Sequence, residues 1–296
     1  MLPLNKDLQS PKGSISDFYD LTLRTQFHLQ NVLSRSVEKN GYLIYVSEFA
    51  NSIKYIRPIR KSLYLFNQKE LEISFELFKL TTEKIKSRNL SISEEEKKNM
   101  DVFLYTIQQT IGAGLDLLVD PNSARKHIGN RFEELIKIVF DEVQISNKKL
   151  VLSIPYPSEQ GEKIYKCEND LIVSPYSEVL SNSFETNEKE IVISIKTTSK
   201  DRMGKIFIDK LLIEKFVNHP QKVIGIFNND VQRKEGNNIS FTLVSGLFMV
   251  YTKFLTELEG VYYLDPPPIT KREPFKTHMK PFSELITKDI FELLIP

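Results

Sequence analysis

Residues 190–209, EIVISIKTTSKDRMGKIFID, constrain this chain more than any other stretch. The β-branched run from Ile191 to Ile195 reads as a strand that delivers Lys196 at its end. A polar, positive turn follows from Thr197 to Arg202, and residues 203–217 read as a helix with Asp209 inside it. Upstream, Asp170-Leu171-Ile172-Val173 reads as a second strand headed by an acid. An acid on one strand, a lysine on the next and a further acid on the following helix make the set that metal-dependent cutting of a phosphodiester needs.

Length and composition bound the rest. At 296 residues, 41% of them hydrophobic, the chain can bury one large core or two modest ones. It has no apolar run of about 18 residues, so no membrane-spanning helix is expected. The opening MLPLNKDLQSPKG lacks a charged-then-apolar signal pattern. Cys167 is the sole cysteine, which excludes an internal disulfide and a four-cysteine zinc site and fits a reducing, cytoplasmic setting. The 40 basic and 39 acidic residues nearly cancel, but charge is local. Residues 196–215 hold six basic and three acidic side chains, residues 271–280 hold four and one, and residues 159–190 are acidic. That division suits a cleft for a polyanion with acids at its floor; solvated basic faces are the alternative.

Apolar spacing predicts helices over 15–38 and 69–86 and another that starts in the polar stretch 91–101, with Ser93 as cap, and runs to about Leu118. Asp120-Pro121-Asn122 breaks it, and an amphipathic helix is expected from about Asn130 with Phe132, Leu135, Ile136, Val139 and Phe140 on its apolar face. Strands are expected at 150–154, 163–173, 191–196, 223–227 and 239–244, alternating with helices at 203–217 and 247–258. Asp265-Pro266-Pro267-Pro268 ends the alternation, and a helix is expected near 282–294. Residues 41–66 give no clear pattern. A helical N-terminal region, 1–120, thus precedes an α/β region with a C-terminal tail, 121–296; the first could dimerise or clamp a ligand.

Hydrolysis of a phosphodiester requires an activated water and charge stabilisation on the phosphate, which Mg²⁺ held by carboxylates supplies and a lysine assists. Asp170 and Lys196 sit at plausible convergent positions on neighbouring strands. Ser194 points the same way as Lys196. A carboxylate is expected there, and Ser is a poor Mg²⁺ ligand, so another acid must compensate. Asp209 shares a helical row with Ile206, Ile213 and Phe216, which sets a carboxylate on an apolar stripe. It either binds metal or pairs with Lys196, Lys205 or Lys210; Glu214 is the backup acid.

Asn169-Asp170-Leu-Ile-Val, then Ser194-Ile-Lys196-Thr-Thr, then Lys200-Asp201-Arg202, then a helix with an acid thirteen residues beyond the lysine, resembles the PD-(D/E)XK nucleases. More narrowly, the pattern resembles type II restriction endonucleases that cut at CCGG, CCNGG or CCWGG sites, several of which carry Ser in place of the middle acid. Asn169 stands where the motif has proline, and Asp209 is shorter than the usual Glu. The resemblance implies a mixed central sheet flanked by helices, preceded by a mainly helical N-terminal part. It implies Asp170 and Asp209 as metal ligands, Lys196 and Ser194 in the catalytic set, and Lys200, Asp201 and Arg202 as base readers. Gly129-Asn130-Arg131-Phe132-Glu133 matches the family's helix opening and implies that Glu133, rather than Glu134, supports the site. Arg125, Lys126 and Arg131 could touch backbone phosphates, with solvated loop charge the preferred reading for any one of them. Mg²⁺, double-stranded DNA, a homodimer, a cognate DNA methyltransferase and a prokaryotic cytoplasm follow as expectations.

Other features carry less. His28, His127, His219 and His278 show no metal-ligand spacing. Gly112-Ala113-Gly114 follows no strand, and no phosphate-binding GxxxxGK[ST] occurs. Glu168 could be a second metal ligand, with a rim or salt-bridge role preferred. Two rivals remain: a repair or junction-resolving nuclease on the same core, and a DNA-binding protein in which Ser194 marks a decayed site.

Overall fold

The computed structural model describes residues 2–49, 52–200, 202–236 and 238–295. Asp201, one of the expected base readers, lies outside the described residues.

The N-terminal part opens with α1 (Leu4–Gln9) and α2 (Ile15–Val32). Helix α2 starts at a capping box between Ser14 and Asp17. It stops short of the expected 38, because Arg35–Lys39 peels off as β1. Residues 41–66, unreadable as sequence, supply β2 (Tyr42–Phe49), β3 (Ser52–Tyr55) and β4 (Ile59–Arg60), which join β1 in a small antiparallel sheet. Two long helices follow, α3 (Gln68–Lys86) and α4 (Glu94–Leu118). Ser93 caps α4 as expected, accepting from the Glu96 backbone while Glu96 accepts from the Ser93 N–H at 2.9 Å.

Helix α5 runs over Pro121–Glu142, a full two turns earlier than the expected start near Asn130. The Asp120-Pro121 pair both ends α4 and begins α5. The Asp120 carboxylate accepts from the N–H groups of Asn122 and Ser123, and proline at the first helical position loses no needed donor. Thereafter β5 (Ser146–Ser158) and β6 (Gly161–Ser174) form a long hairpin, followed by β7 (Ile191–Lys196), α6 (Met203–Val217) and β8 (Lys222–Phe227). Expected strand 239–244 shortens to β10 (Ile239–Phe241), which pairs with β9 (Val231–Arg233) away from the main sheet. Helix α7 (Ser245–Phe254) ends early, and Gly260–Tyr263 becomes β11, an unforeseen strand. A further strand, β12 (Met279–Pro281), precedes helical turns over 282–293.

The main sheet runs β12-β11-β8-β7-β6-β5. The β5–β6 and β6–β7 pairs are antiparallel, whereas β7, β8, β11 and β12 run parallel to one another. Side-chain alternation divides the core between the two faces. Leu171, Ile193, Ile195, Ile224 and Tyr262 face α4, α5 and the C-terminal turns. Ile172, Val192, Val223 and Tyr263 face α6 and α7. The first cluster is continuous from Leu8 to Leu294, so the N-terminal helices pack on the same core as the sheet. The Gly-Ala-Gly of α4 is a packing feature: a Cβ at Gly112 would lie 2.4 Å from the Arg57 guanidinium carbon, and one at Gly114 would lie 2.7 Å from Thr25 Cγ2.

The small sheet is welded to the core by polar bonds. Arg60 pairs with buried Asp265 at 2.8 Å, and the Tyr42 hydroxyl donates to the same carboxylate at 2.9 Å. Among the described residues no helix is long and apolar enough to cross a membrane.

Phe103 lies at the centre of the helical layer, with its ring 5.6 Å from Phe75 and 4.7 Å from Phe78. Phe103→Ala is expected to lower the unfolding free energy by about 3–5 kcal/mol, read as a fall in urea midpoint at constant slope. A loss below about 1 kcal/mol would mean that this layer is loosely packed.

Candidate active site

The site is built where β6 and β7 part. Their ladder ends at the pair Leu171↔Ile193, while β7 continues along β8 to Lys196↔Phe227. The Ile195 N–H thus has no backbone acceptor on β6, and the Asp170 carboxylate takes it at 2.8 Å. The same oxygen, Oδ2, accepts from the Lys196 ammonium. On its other side β6 carries an irregularity: between Lys148 and Leu150 the register against β5 slips by one residue, so that Asp170 and Leu171 together oppose Lys149. Such bulges bend a strand and re-aim a side chain. Here the bulge falls at the acid.

Asp170, Ser194, Lys196 and Asp209 line one depression of about 290 Å³, together with Glu168, Arg202 and Lys205. Ile206 and Ile213 of the Asp209 row are buried, as the stripe predicts. The Asp209 carboxylate itself is taken by Lys205, one turn away. Glu214, the backup acid, accepts from the Gln221 N–H at 3.1 Å and does not line the depression. Lys210, another possible partner of Asp209, is buried and bonded at 2.7 Å to both the Glu257 carbonyl and the Glu259 carboxylate.

Glu133 reaches the same neighbourhood from α5. Burial first, and the nearby Asp170 charge second, raise its carboxyl above the ordinary glutamate value, against the pull of Lys149 and Lys196. Lys149 stands 3.5 Å away. This lysine was not foreseen; it lies across the α5–β5 contact, which no sequence spacing shows. Glu134 is used differently. It pairs with Arg131 and accepts from the Lys12 N–H at 3.1 Å.

Arg131, a weak candidate for a phosphate contact and otherwise read as solvated charge, is neither: it is 2% exposed, with one side-chain nitrogen on the Ser10 carbonyl and another on Glu134. Its place in the third turn of the lengthened α5 points it under the N-terminal segment. Arg125 and Lys126 stay exposed on the first turns of α5. Lys200 and Arg202 are exposed but diverge. Lys200 lines a large neighbouring cleft, whereas Arg202 lines the depression itself.

Among the described residues no three Asp, Glu, His or Cys side chains converge as a ready ligand group. The reason is visible: Asp170 is drawn to Lys196 and Asp209 to Lys205, each carboxylate taking the nearest ammonium. The donors around the depression are nonetheless carboxylate and hydroxyl oxygens, the hard ligands that suit Mg²⁺, which keeps several of its waters. The residues present fit such an ion.

No family model matches this chain, and no curated protein matches it by sequence. Among solved structures the chain is similar to the type IIP restriction endonuclease Kpn2I, with a TM-score of 0.70 over 95% of this chain and 91% of that one, at 15% identity. The restriction endonuclease PspGI in complex with substrate DNA superposes more loosely, with a TM-score of 0.41 over 75% of this chain and 92% of that one, also at 15% identity. The central mixed sheet flanked by helices matches the fold of Kpn2I.

The raised Glu133 carboxyl fixes the sign of a pH effect. A carboxyl whose folded value lies above its unfolded value, here 4.5, is penalised when ionised, so the penalty is full at neutral pH and fades as pH falls through that window. In metal-free buffer Glu133→Gln is expected to melt above the wild type near pH 7, with the gap closing at pH below the ordinary glutamate value. A variant that melts lower at pH 7, or a gap that ignores pH, would mean that neither burial nor the Asp170 charge penalises the Glu133 carboxylate.

Proposed function

We propose that this protein is a type II restriction endonuclease that cuts both strands of duplex DNA with Mg²⁺, at a site containing CC and GG. The observation that carries the reading is the carboxylate of Asp170 held at the fork of β6 and β7 beside Lys196, in one depression with Asp209. The likeness to the fold of Kpn2I supports it. Asp170 and Asp209 are the residues that would hold the ion, with Glu133 behind them. When bound, the ion neutralises charge on the phosphate and lowers the pKa of a water. Ser194 leaves room between the two acids without adding a charge. Lys196, released from Asp170, orients the attacking water and donates to the phosphate oxygens as charge builds on them. Lys200, Asp201 and Arg202 begin four residues after Lys196, the last residue of the catalytic strand; there Arg can donate twice to guanine and Asp can accept from cytosine.

Cutting both strands of a palindrome calls for two copies of this chain about a two-fold axis. A cell that carries such an activity needs a matching DNA methyltransferase. The region 1–120 would then clamp DNA or serve that dimer.

Digestion of plasmid DNA tests the reading. Discrete bands that require Mg²⁺ are expected, and a smear or no cleavage under any divalent ion would contradict it. Lys196→Ala should slow cutting by about 100- to 1,000-fold. Asp209→Asn should abolish it with the fold intact, because the Lys205 pair that it removes is an i,i+4 surface pair worth about 0.3–0.5 kcal/mol. If Glu214→Gln abolishes cutting and Asp209→Asn does not, the helix acid is Glu214.

A further inference from the structure

A second, larger cavity of about 1050 Å³ opens at the carboxyl ends of β7 and β8. In open α/β sheets this is the end at which ligands bind. It adjoins the active-site depression through Thr197, the residue after Lys196, and its far walls are Tyr55 of β3, Arg125 of α5 and Gln232 of β9. Several of its cations are already engaged. Lys54 donates to the Leu117 carbonyl at 2.8 Å, and Arg57 pairs with Asp116 at 3.0 Å. Arg125 and Lys200, by contrast, are in no ion pair among the described residues. The wall is stiff. The Arg233 guanidinium stacks 5.1 Å over the Tyr55 ring and donates to the carbonyls of Lys234 and Gly236, which ties the β9–β10 hairpin to the small sheet.

Gln232 stands in the middle of this wall. Val231 beside it is buried, and strand alternation turns Gln232 the other way, into the cavity. It is half-buried, and among the described residues its carboxamide makes no hydrogen bond. On the floor, Asn228 is 2% exposed and its amide oxygen has no partner. A partly desolvated carboxamide with both a donor and an acceptor free matches the N6 and N7 edge of adenine.

We propose that this cavity seats the part of the DNA duplex beside the reacting phosphate, and that Gln232 is a specificity-determining residue reading an adenine there. Arg125 supplies a phosphate contact from the opposite wall. The inference rests on the nuclease reading above.

The test is end-mapping of a randomised duplex library cut in Mg²⁺ by the wild type, Gln232→Ala and Gln232→Glu. Gln232→Ala is expected to keep cutting but to discriminate about ten- to a hundredfold less at one base pair. Gln232→Glu, which loses the amide donor, is expected to turn away from adenine at that same pair. If both variants reproduce the wild-type profile, the assignment to Gln232 is overturned and the nuclease reading stands. A uniform loss at every sequence, with a lowered melting temperature, makes Gln232 structural and overturns it equally. A wild type that cuts no duplex overturns both.

Discussion

One carboxylate oxygen organises the candidate site. Oδ2 of Asp170 takes the Ile195 N–H that the departing β6 ladder leaves without a partner, and it also takes the Lys196 ammonium. The first bond keeps the fork between β6 and β7 from becoming a row of unsatisfied backbone groups. The second brings the lysine to the acid. Because β7 is parallel to β8 and locked to it as far as Lys196↔Phe227, the lysine is delivered from a rigid strand end. Asp209 then arrives from α6, whose apolar side packs on the same face of the sheet through Ile206 and Ile213.

The loop after Lys196 is also held from below. The Ser199 N–H donates to buried Asp230 at 2.7 Å, and that carboxylate also accepts from Thr242 at 2.9 Å. Burial raises the Asp230 carboxyl, and these hydrogen bonds counter the shift. The backbone of Asn229 donates to the Thr197 carbonyl at 3.3 Å. The loop that starts at Lys196 and the β9–β10 hairpin that walls the larger cavity therefore share one buried polar anchor.

Much of this was legible in the residues alone. The strand Ile191–Lys196, the acid at 170 and the polar–apolar row through 209 rest on short-range periodicity, and periodicity survives folding. The cap at Ser93 was legible for the same reason. What stayed hidden depends on distant partners. The bulge at Asp170 exists only against β5, and Lys149 meets Glu133 only across a helix–strand contact. Strand β11 is four residues long and takes its identity from pairing with β8. Strands β1 to β4 are short and mix basic with apolar residues, so no period emerges until Arg60 and Tyr42 find Asp265. Arg131 read as surface charge because nothing local shows that Ser10 will cover it.

A crystal structure of the protein with duplex DNA and Mn²⁺, phased to show anomalous scattering from the ion, would decide whether these groups form one centre. An ion bound by both Asp170 and Asp209, with Lys196 turned from its acid toward the phosphate, is the expected result. An ion bound elsewhere, or Asp209 still paired with Lys205 while DNA lies across the depression, would contradict it.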